Sequence, residues 1–207
     1  MIEFEKHKTI GLLLSGGFDS ALLLHLLCNA NDNSHFILFT MDKPDGSVDN
    51  VKRIISNNNF NSNTYESVMI PYKDEYDEIT NLGVSGREAY KWIKEHYIDK
   101  VDVLYSGNTT NPPIVIESRY NGVWTTRSPD RSGSEIAEKR DQKYKRPFGR
   151  LTKKDTVRMV SELKLDYIVN YSHSCTEKTS GRCNECWQCQ ERQWGFSENN
   201  LIDFGSN

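Results

Sequence analysis

Six residues, Ser15-Gly16-Gly17-Phe18-Asp19-Ser20, lie between two apolar runs and constrain how the chain can fold. Ile10 to Leu14 is short and apolar, the pattern of a strand buried on both faces of a parallel sheet. Ala21 to Leu27 places Leu22, Leu23, Leu26 and Leu27 at helical spacing with no Gly or Pro inside. Between strand and helix, two glycines allow positive φ and a close approach of backbone to ligand. The first-turn amides of a helix point at an anion, and the helix dipole favours negative charge there. Ser15 and Ser20 add hydroxyl donors. An acid fits such a site only if it orients the loop or holds a cation that bridges phosphates, and Asp19 takes that part. The stretch is a phosphate cradle. It is neither the G-x-x-x-x-G-K-[ST] kind nor the G-x-G-x-x-G kind, since neither string occurs.

Taken in order, the chain alternates strands and helices. His35 to Met41 is a second buried strand, Val48 to Ile55 a helix, Glu66 to Tyr72 a third strand with Pro71 at its end. Acidic residues crowd Lys73 to Ile79, and Arg87 to Tyr97 is expected to be helical with Ser85 near its cap. Val101 to Tyr105 is a fourth strand. Strands separated by helices of this length imply βαβ units and a parallel sheet covered on both faces. From Thr109 to Arg146 the periodicity fades, and Arg119, Arg127, Arg131, Lys139 and Arg140 lie among acids and prolines. A stretch of that length is expected to be an irregular loop or lid. Leu151 to Thr156 opens a helix in which Thr152 caps and Asp155 answers three residues on. Tyr167 to Tyr171 is expected to be a last short strand. The expected division is a nucleotide-binding α/β domain over residues 1–171 and a metal segment over 172–207.

At 207 residues the chain needs no covalent staples, because a domain of that size buries roughly 70% of its unfolded surface. A net charge of −3 gives no broad nucleic-acid or membrane footprint. No signal-peptide core and no membrane-length apolar run occurs, so the expected location is cytoplasmic. Cys28 stands alone on the first helix, whereas Cys175, Cys183, Cys186 and Cys189 fall within fifteen residues. Two overlapping C-x-x-C steps and a fourth thiol suit a closed tetrahedral zinc shell, which leaves no position for water and is therefore structural. An iron–sulfur cluster takes the same donors, and spacing does not separate the two. His173 is expected beside the metal or at the surface, His25 as a packed histidine, and Trp187, Trp194 and Phe196 as a small core around the metal.

The loop resembles the SGGxDS motif of the PP-loop ATP pyrophosphatases, which split ATP between its α- and β-phosphates. The order of loop, parallel sheet and C-terminal Cys175…Cys183-x-x-Cys186-x-x-Cys189-x-x-Arg192 is similar to the 7-cyano-7-deazaguanine synthase (QueC) family within that superfamily. Leu151-Thr152-Lys153-Lys154-Asp155-Thr156 resembles that family's LTK helix start, and Val101 to Gly107 its fourth strand and the glycine after it. The resemblance implies a Rossmann-like (adenine nucleotide alpha hydrolase-like) fold with a small C-terminal zinc segment. It implies a nucleotide site of Leu14, Ser15, Gly16, Gly17, Phe18, Asp19, Ser20, Thr40, Gly107 and Lys153. Asp19, Ser20 and Lys153 are the implied catalytic residues, Arg192 is structural or phosphate-facing, and a homodimer is implied.

The implied activity is an ATP- and Mg2+-dependent ligase. It adenylates 7-carboxy-7-deazaguanine and uses ammonia to form the amide and then the nitrile. Two stretches depart from the family. Asp42-Lys43-Pro44-Asp45-Gly46 replaces its Tyr-Gly-Gln, and Gly107-Asn108-Thr109-Thr110-Asn111-Pro112-Pro113 replaces its substrate segment. Another carboxylate, or an end at the amide, therefore stays open. So do two other classes: a PP-loop tRNA-modifying enzyme, which in thiolation needs a free cysteine such as Cys28, and a non-enzymatic zinc module that binds nucleic acid.

Overall fold

The computed structural model describes residues 2–43, 45–72, 84–120, 122–127 and 142–205. Its main sheet is parallel throughout, in the order β3-β2-β1-β4-β7. The strands are β1 (Thr9–Leu13), β2 (His35–Met41), β3 (Thr64–Ile70), β4 (Val103–Ser106) and a two-residue edge, β7 (Tyr144–Lys145). Alternate residues feed two cores. Ile10, Leu12, Phe36, Leu38 and Val103 face a helical layer of α1 (Phe18–Ala30), α2 (Ser47–Asn57), α4 (Lys153–Glu162), α5 (Asp166–Tyr171) and α6 (Trp187–Ser197). Ile37, Phe39, Ile70 and Leu104 face α3 (Val84–His96) through Ala89 and Ile93. The fold is Rossmann-like α/β, as the alternation of elements implies.

The chain runs β1-β2-β3 in one direction and then crosses through α3 to β4 on the other side of β1. Reversing the direction of winding puts α3 on the opposite face. It also opens a crevice between the carboxyl ends of β1 and β4, where ligands bind in sheets of this kind. The loop after β1 and Gly107 after β4 are the two lips of that crevice.

Three expectations are corrected. Tyr167 to Tyr171 is helical: Lys164 takes a left-handed turn (φ 55°), and α5 then lays Ile168 and Val169 into the core beneath α1 and α2. Helix α3 begins at Val84, so Ser85 falls in its first turn rather than at its cap. Thr109 to Arg146 is not structureless: β5 (Ile116–Tyr120) and β6 (Val123–Arg127) form an antiparallel hairpin around Gly122 (φ 81°). Asn121-Gly122 between two alternating runs was the sequence signal for it. Lys73 to Ile79, Arg131, Lys139 and Arg140 lie outside the described residues.

A buried guanidinium ties the segments of residues 172–205 to one another and to the end of α5. Arg192, fully buried, donates to Asp203 at 2.8 and 3.0 Å, to Val169 O at 2.9 Å, and to the carbonyl and hydroxyl of Ser172 at 3.0 Å each. Arg182 pairs with the same carboxylate at 2.6 Å. Arg192 does not line the crevice, so of its two expected roles the structure supports the structural one. Replacing it leaves the Val169 and Ser172 carbonyls without this donor and takes from the Asp203 carboxylate one of its two guanidinium partners. We expect Arg192→Ala to cost about 3–5 kcal/mol of stability in urea unfolding.

Candidate active site and metal centre

Around the crevice lies a cavity of about 860 Å3. Helix α1 opens at Gly17 without a side-chain cap, so its first-turn amides are left for a ligand. Ser15 Oγ lies 3.1 Å from Ser20 Oγ, and the Ser20 hydroxyl donates to Gly17 O at 3.0 Å. These bonds hold the loop in shape. Gly16 takes φ 75°, and a Cβ there would stand 2.9 Å from Ser47 O. Its own carbonyl accepts from His173 N–H at 2.9 Å. Gly107 is required for another reason: a Cβ would sit 2.9 Å from the Asp19 carbonyl and the Ser20 nitrogen. The end of β4 therefore rests directly on the first turn of α1.

Lys153 comes from the far end of the chain. An Asp155 carboxylate oxygen accepts from Thr152 N–H at 2.9 Å and the Thr152 hydroxyl at 2.8 Å, which fixes the start of α4 as the spacing predicts. Lys153 then pairs with one oxygen of Asp19, while the Thr156 hydroxyl donates to the other at 2.9 Å. Lys153 is nearly buried and Thr156 wholly so. Thr156, one turn beyond Lys153, is a partner of Asp19 that the sequence reading missed, although the spacing of three was visible.

Of the expected nucleotide set, Leu14, Ser15, Gly17, Phe18, Asp19, Ser20, Gly107 and Lys153 line the cavity. Gly16 and Thr40 do not; the buried Thr40 hydroxyl donates to Leu14 O at 3.1 Å and braces the strand end. The Asp42 to Gly46 departure contributes Lys43 and Asp45 to the wall. Burial lowers the Lys43 pKa, partly offset by Asp45. From the Thr109 to Arg146 stretch, Thr109, Asn111, Tyr144 and Arg146 reach the cavity.

The four clustered cysteines meet in space. Their sulfurs all lie within 4.8 Å of one another, and Cys183 Sγ is 3.9 Å from Cys189 Sγ. Four bonds of about 2.3 Å to one tetrahedral ion put sulfurs roughly 3.8 Å apart. A four-iron cluster gives each thiolate its own iron and spreads the sulfurs more widely. The set fits a single ion. Asn184 adopts φ 60°, which turns the backbone so that Cys186 N–H and Glu185 N–H donate to Cys183 Sγ at 3.2 and 3.4 Å. His173 is half-exposed, with Nε2 2.8 Å from Lys178 O, outside the cluster. The hairpin leans on this knuckle through Arg119 N–H, which donates to Glu185 O at 2.8 Å.

The aromatic residues of α6 do not gather around the metal. Phe196 packs edge-on against Phe18 (5.8 Å, 74°) in the main core, and Trp187 lines the cavity. The helix turns its apolar face to α1 and α4 because Gly195, lacking a side chain, settles on the Lys153 backbone. Cys28 is fully buried, and desolvation raises its thiol pKa to about 12. It is no nucleophile at neutral pH. His25 is packed as expected: burial lowers its pKa, and Nδ1 lies 3.4 Å from the Tyr167 hydroxyl.

Residues 131–200 match the family model described as "Queuosine biosynthesis protein QueC". That stretch holds Lys153, Thr156, Arg192 and all four clustered cysteines, so the resemblance to the QueC family stands over the last third of the chain. No curated protein matches. A solved structure of the U34-tRNA thiolase NcsA from Methanococcus maripaludis with its [4Fe-4S] cluster is similar at 16% identity. It covers 79% of this chain with a TM-score of 0.49, and the chain spans 59% of that protein's length. That likeness is too slight to carry residue roles across. No helix among the described residues is long and apolar enough to cross a membrane.

We expect purified protein to hold about one metal ion per chain by elemental analysis. Chelation should lower its thermal midpoint, because structural metal sites are worth on the order of 10 kcal/mol of apparent binding energy.

Proposed function

We propose that this chain is an ATP-dependent carbon–nitrogen ligase. It adenylates the carboxylate of 7-carboxy-7-deazaguanine, or a related 7-deazaguanine, and uses ammonia to form the amide and then the nitrile. The observation that carries the reading is the meeting of Asp19 with Lys153. The phosphate loop and the QueC-matching region build one site across the crevice.

A carboxylate is a poor acyl donor because oxide does not leave. Its oxygen attacks the α-phosphorus of ATP and pyrophosphate departs. Ammonia attacks the activated carbonyl carbon, AMP leaves, and a proton is lost to give the amide. The amide oxygen attacks a second ATP with loss of pyrophosphate, and departure of AMP with the amide protons gives the nitrile. Each activation develops charge on phosphate oxygens. The α1 amides, the Ser15 and Ser20 hydroxyls and the Lys153 ammonium are fixed in advance to meet that charge. Asp19 holds Lys153; a phosphate entering the loop competes for the ammonium, and the carboxylate is then available to a cation. Mg2+ bound there would neutralise phosphate charge.

Zinc is the proposed ion of the four thiolates, as a structural anchor with no open position. Residues 1–171 then supply the nucleotide site and 172–207 the metal segment. The proposed partners are a free small-molecule carboxylate, ammonia and a second copy in a homodimer, in the cytoplasm, with no membrane and no nucleic acid.

The test incubates metal-loaded protein with ATP, Mg2+, ammonia and 7-carboxy-7-deazaguanine and follows AMP and the base by mass spectrometry. AMP with nitrile is the expected result. AMP with amide alone would confine the reading to a single activation, and absence of AMP would overturn the acceptor and turn attention to tRNA and other carboxylates. Lys153→Ala should lower kcat about 100- to 1,000-fold with the metal content retained.

A further inference from the structure

Part of the cavity wall is left unused by the phosphate chemistry. Leu13, Phe39, Met41, Ala89, Tyr90 and Tyr144 line the cavity, and all six belong to the core between the sheet and α3. The Tyr90 and Tyr144 rings meet at 4.7 Å, tilted by 36°. An apolar wall of this kind suits a flat ring, which a few polar groups then orient. Lys43, just after β2, and Arg87, in the first turn of α3, also line the cavity.

The two cations differ in setting. Arg87 is exposed, where solvent and salt screen its charge. Lys43 is half-buried on a fixed stretch of backbone. Asp42 N–H donates to Ile70 O at 3.0 Å, Lys43 N–H to Met41 O at 2.9 Å, and Ser47 N–H to Asp45 Oδ1 at 3.0 Å. The Lys43 ammonium makes no hydrogen bond and no ion pair among the described residues, and Asp45 acts on it through charge alone. Such an ammonium attracts an entering anion strongly, because less water stands between the charges. The phosphate loop already has Lys153 as its cation, and an adenine ring carries no charge for Lys43 to meet. The acceptor's carboxylate does carry one, and it has to approach a polyphosphate of the same sign. An apolar wall with a cation beside it matches both features of a flat ring that bears a carboxylate.

We propose that Lys43 holds the carboxylate of the acceptor while the ring lies against the Phe39 and Met41 side of the cavity. This assignment rests on the ligase reading above and deepens it: Lys43 selects an anionic acceptor and offsets its repulsion from ATP. Lys43 belongs to one of the two stretches that depart from the family pattern. Once the amide has formed, the acceptor has lost its negative charge and Lys43 has no anion to hold. The residue therefore serves the first activation and not the second.

The test measures, by calorimetry, the binding of 7-carboxy-7-deazaguanine and of its amide to metal-loaded wild type and Lys43→Met. A non-hydrolysable ATP analogue and Mg2+ are present throughout, and the affinity for the analogue is measured first. Lys43→Met should weaken binding of the acid about 10- to 100-fold, the effect of removing a hydrogen bond to a charged group. Its affinities for the amide and for the ATP analogue should match those of wild type. A loss confined to the charged acceptor is a result that structural damage would not produce. Acid binding unaltered in Lys43→Met would overturn the proposal and leave the ligase reading intact. The same holds if the amide, or the ATP analogue, is weakened as much as the acid. A wild type that binds the ATP analogue but neither acid nor amide would overturn the ligase reading itself, and this assignment with it.

Discussion

One ion pair, Asp19 with Lys153, joins residues 134 positions apart and sets the relation of everything around the crevice. Asp19 is fixed by the first turn of α1, which rests on Gly107 at the end of β4. Lys153 is fixed by the Thr152–Asp155 lock at the start of α4. Neither partner is free to drift, and the Thr156 hydroxyl holds the remaining carboxylate oxygen. An ion pair so enclosed is costly to bury and stabilises little by itself; its effect is to fix one geometry among many. Here that geometry keeps an ammonium beside a row of unpaired helix amides.

Much of this was legible in the sequence because it depends on local signals. A short apolar strand, two glycines and an amphipathic helix allow few arrangements, and Ser15 to Ser20 occupies the expected corner. The C-x-x-C steps were equally plain, since four thiols so close in sequence need only two tight turns to meet. Elsewhere the signal was long-range. Asp166 to Tyr171 contains residues that suit strand or helix alike, and contact with α1 and α2 decides the matter. The placing of Thr40 behind Leu14, rather than in the cavity, depends on which side chains of β2 face which layer. Arg192 carried two open roles until Asp203, Ser172 and Val169 were seen around it.

The C-terminal region departs most from expectation. Its aromatic residues do not wrap the metal; the knuckle is a small unit of sulfur and backbone, braced by the hairpin through Arg119. This frees Phe196 for the main core and Trp187 for the cavity. A metal centre of this sort acts at a distance, by holding the start of one helix. It touches the cavity only through Cys175.

Gly195 has a consequence for anyone who would alter the protein by directed evolution. With no side chain between α6 and the backbone of Lys153, the two helices share a bearing surface at which even a methyl group would intrude: a Cβ there would lie 2.6 Å from Lys153 Cγ. Mutational tolerance should therefore be low at Gly195, a residue that does not line the cavity. At Gly122 an added Cβ meets open space, yet its φ of 81° strains any side chain, so that position too is held by its backbone. A library aimed at new acceptors would do well to hold the bearing and the turn glycine constant and to diversify the cavity wall.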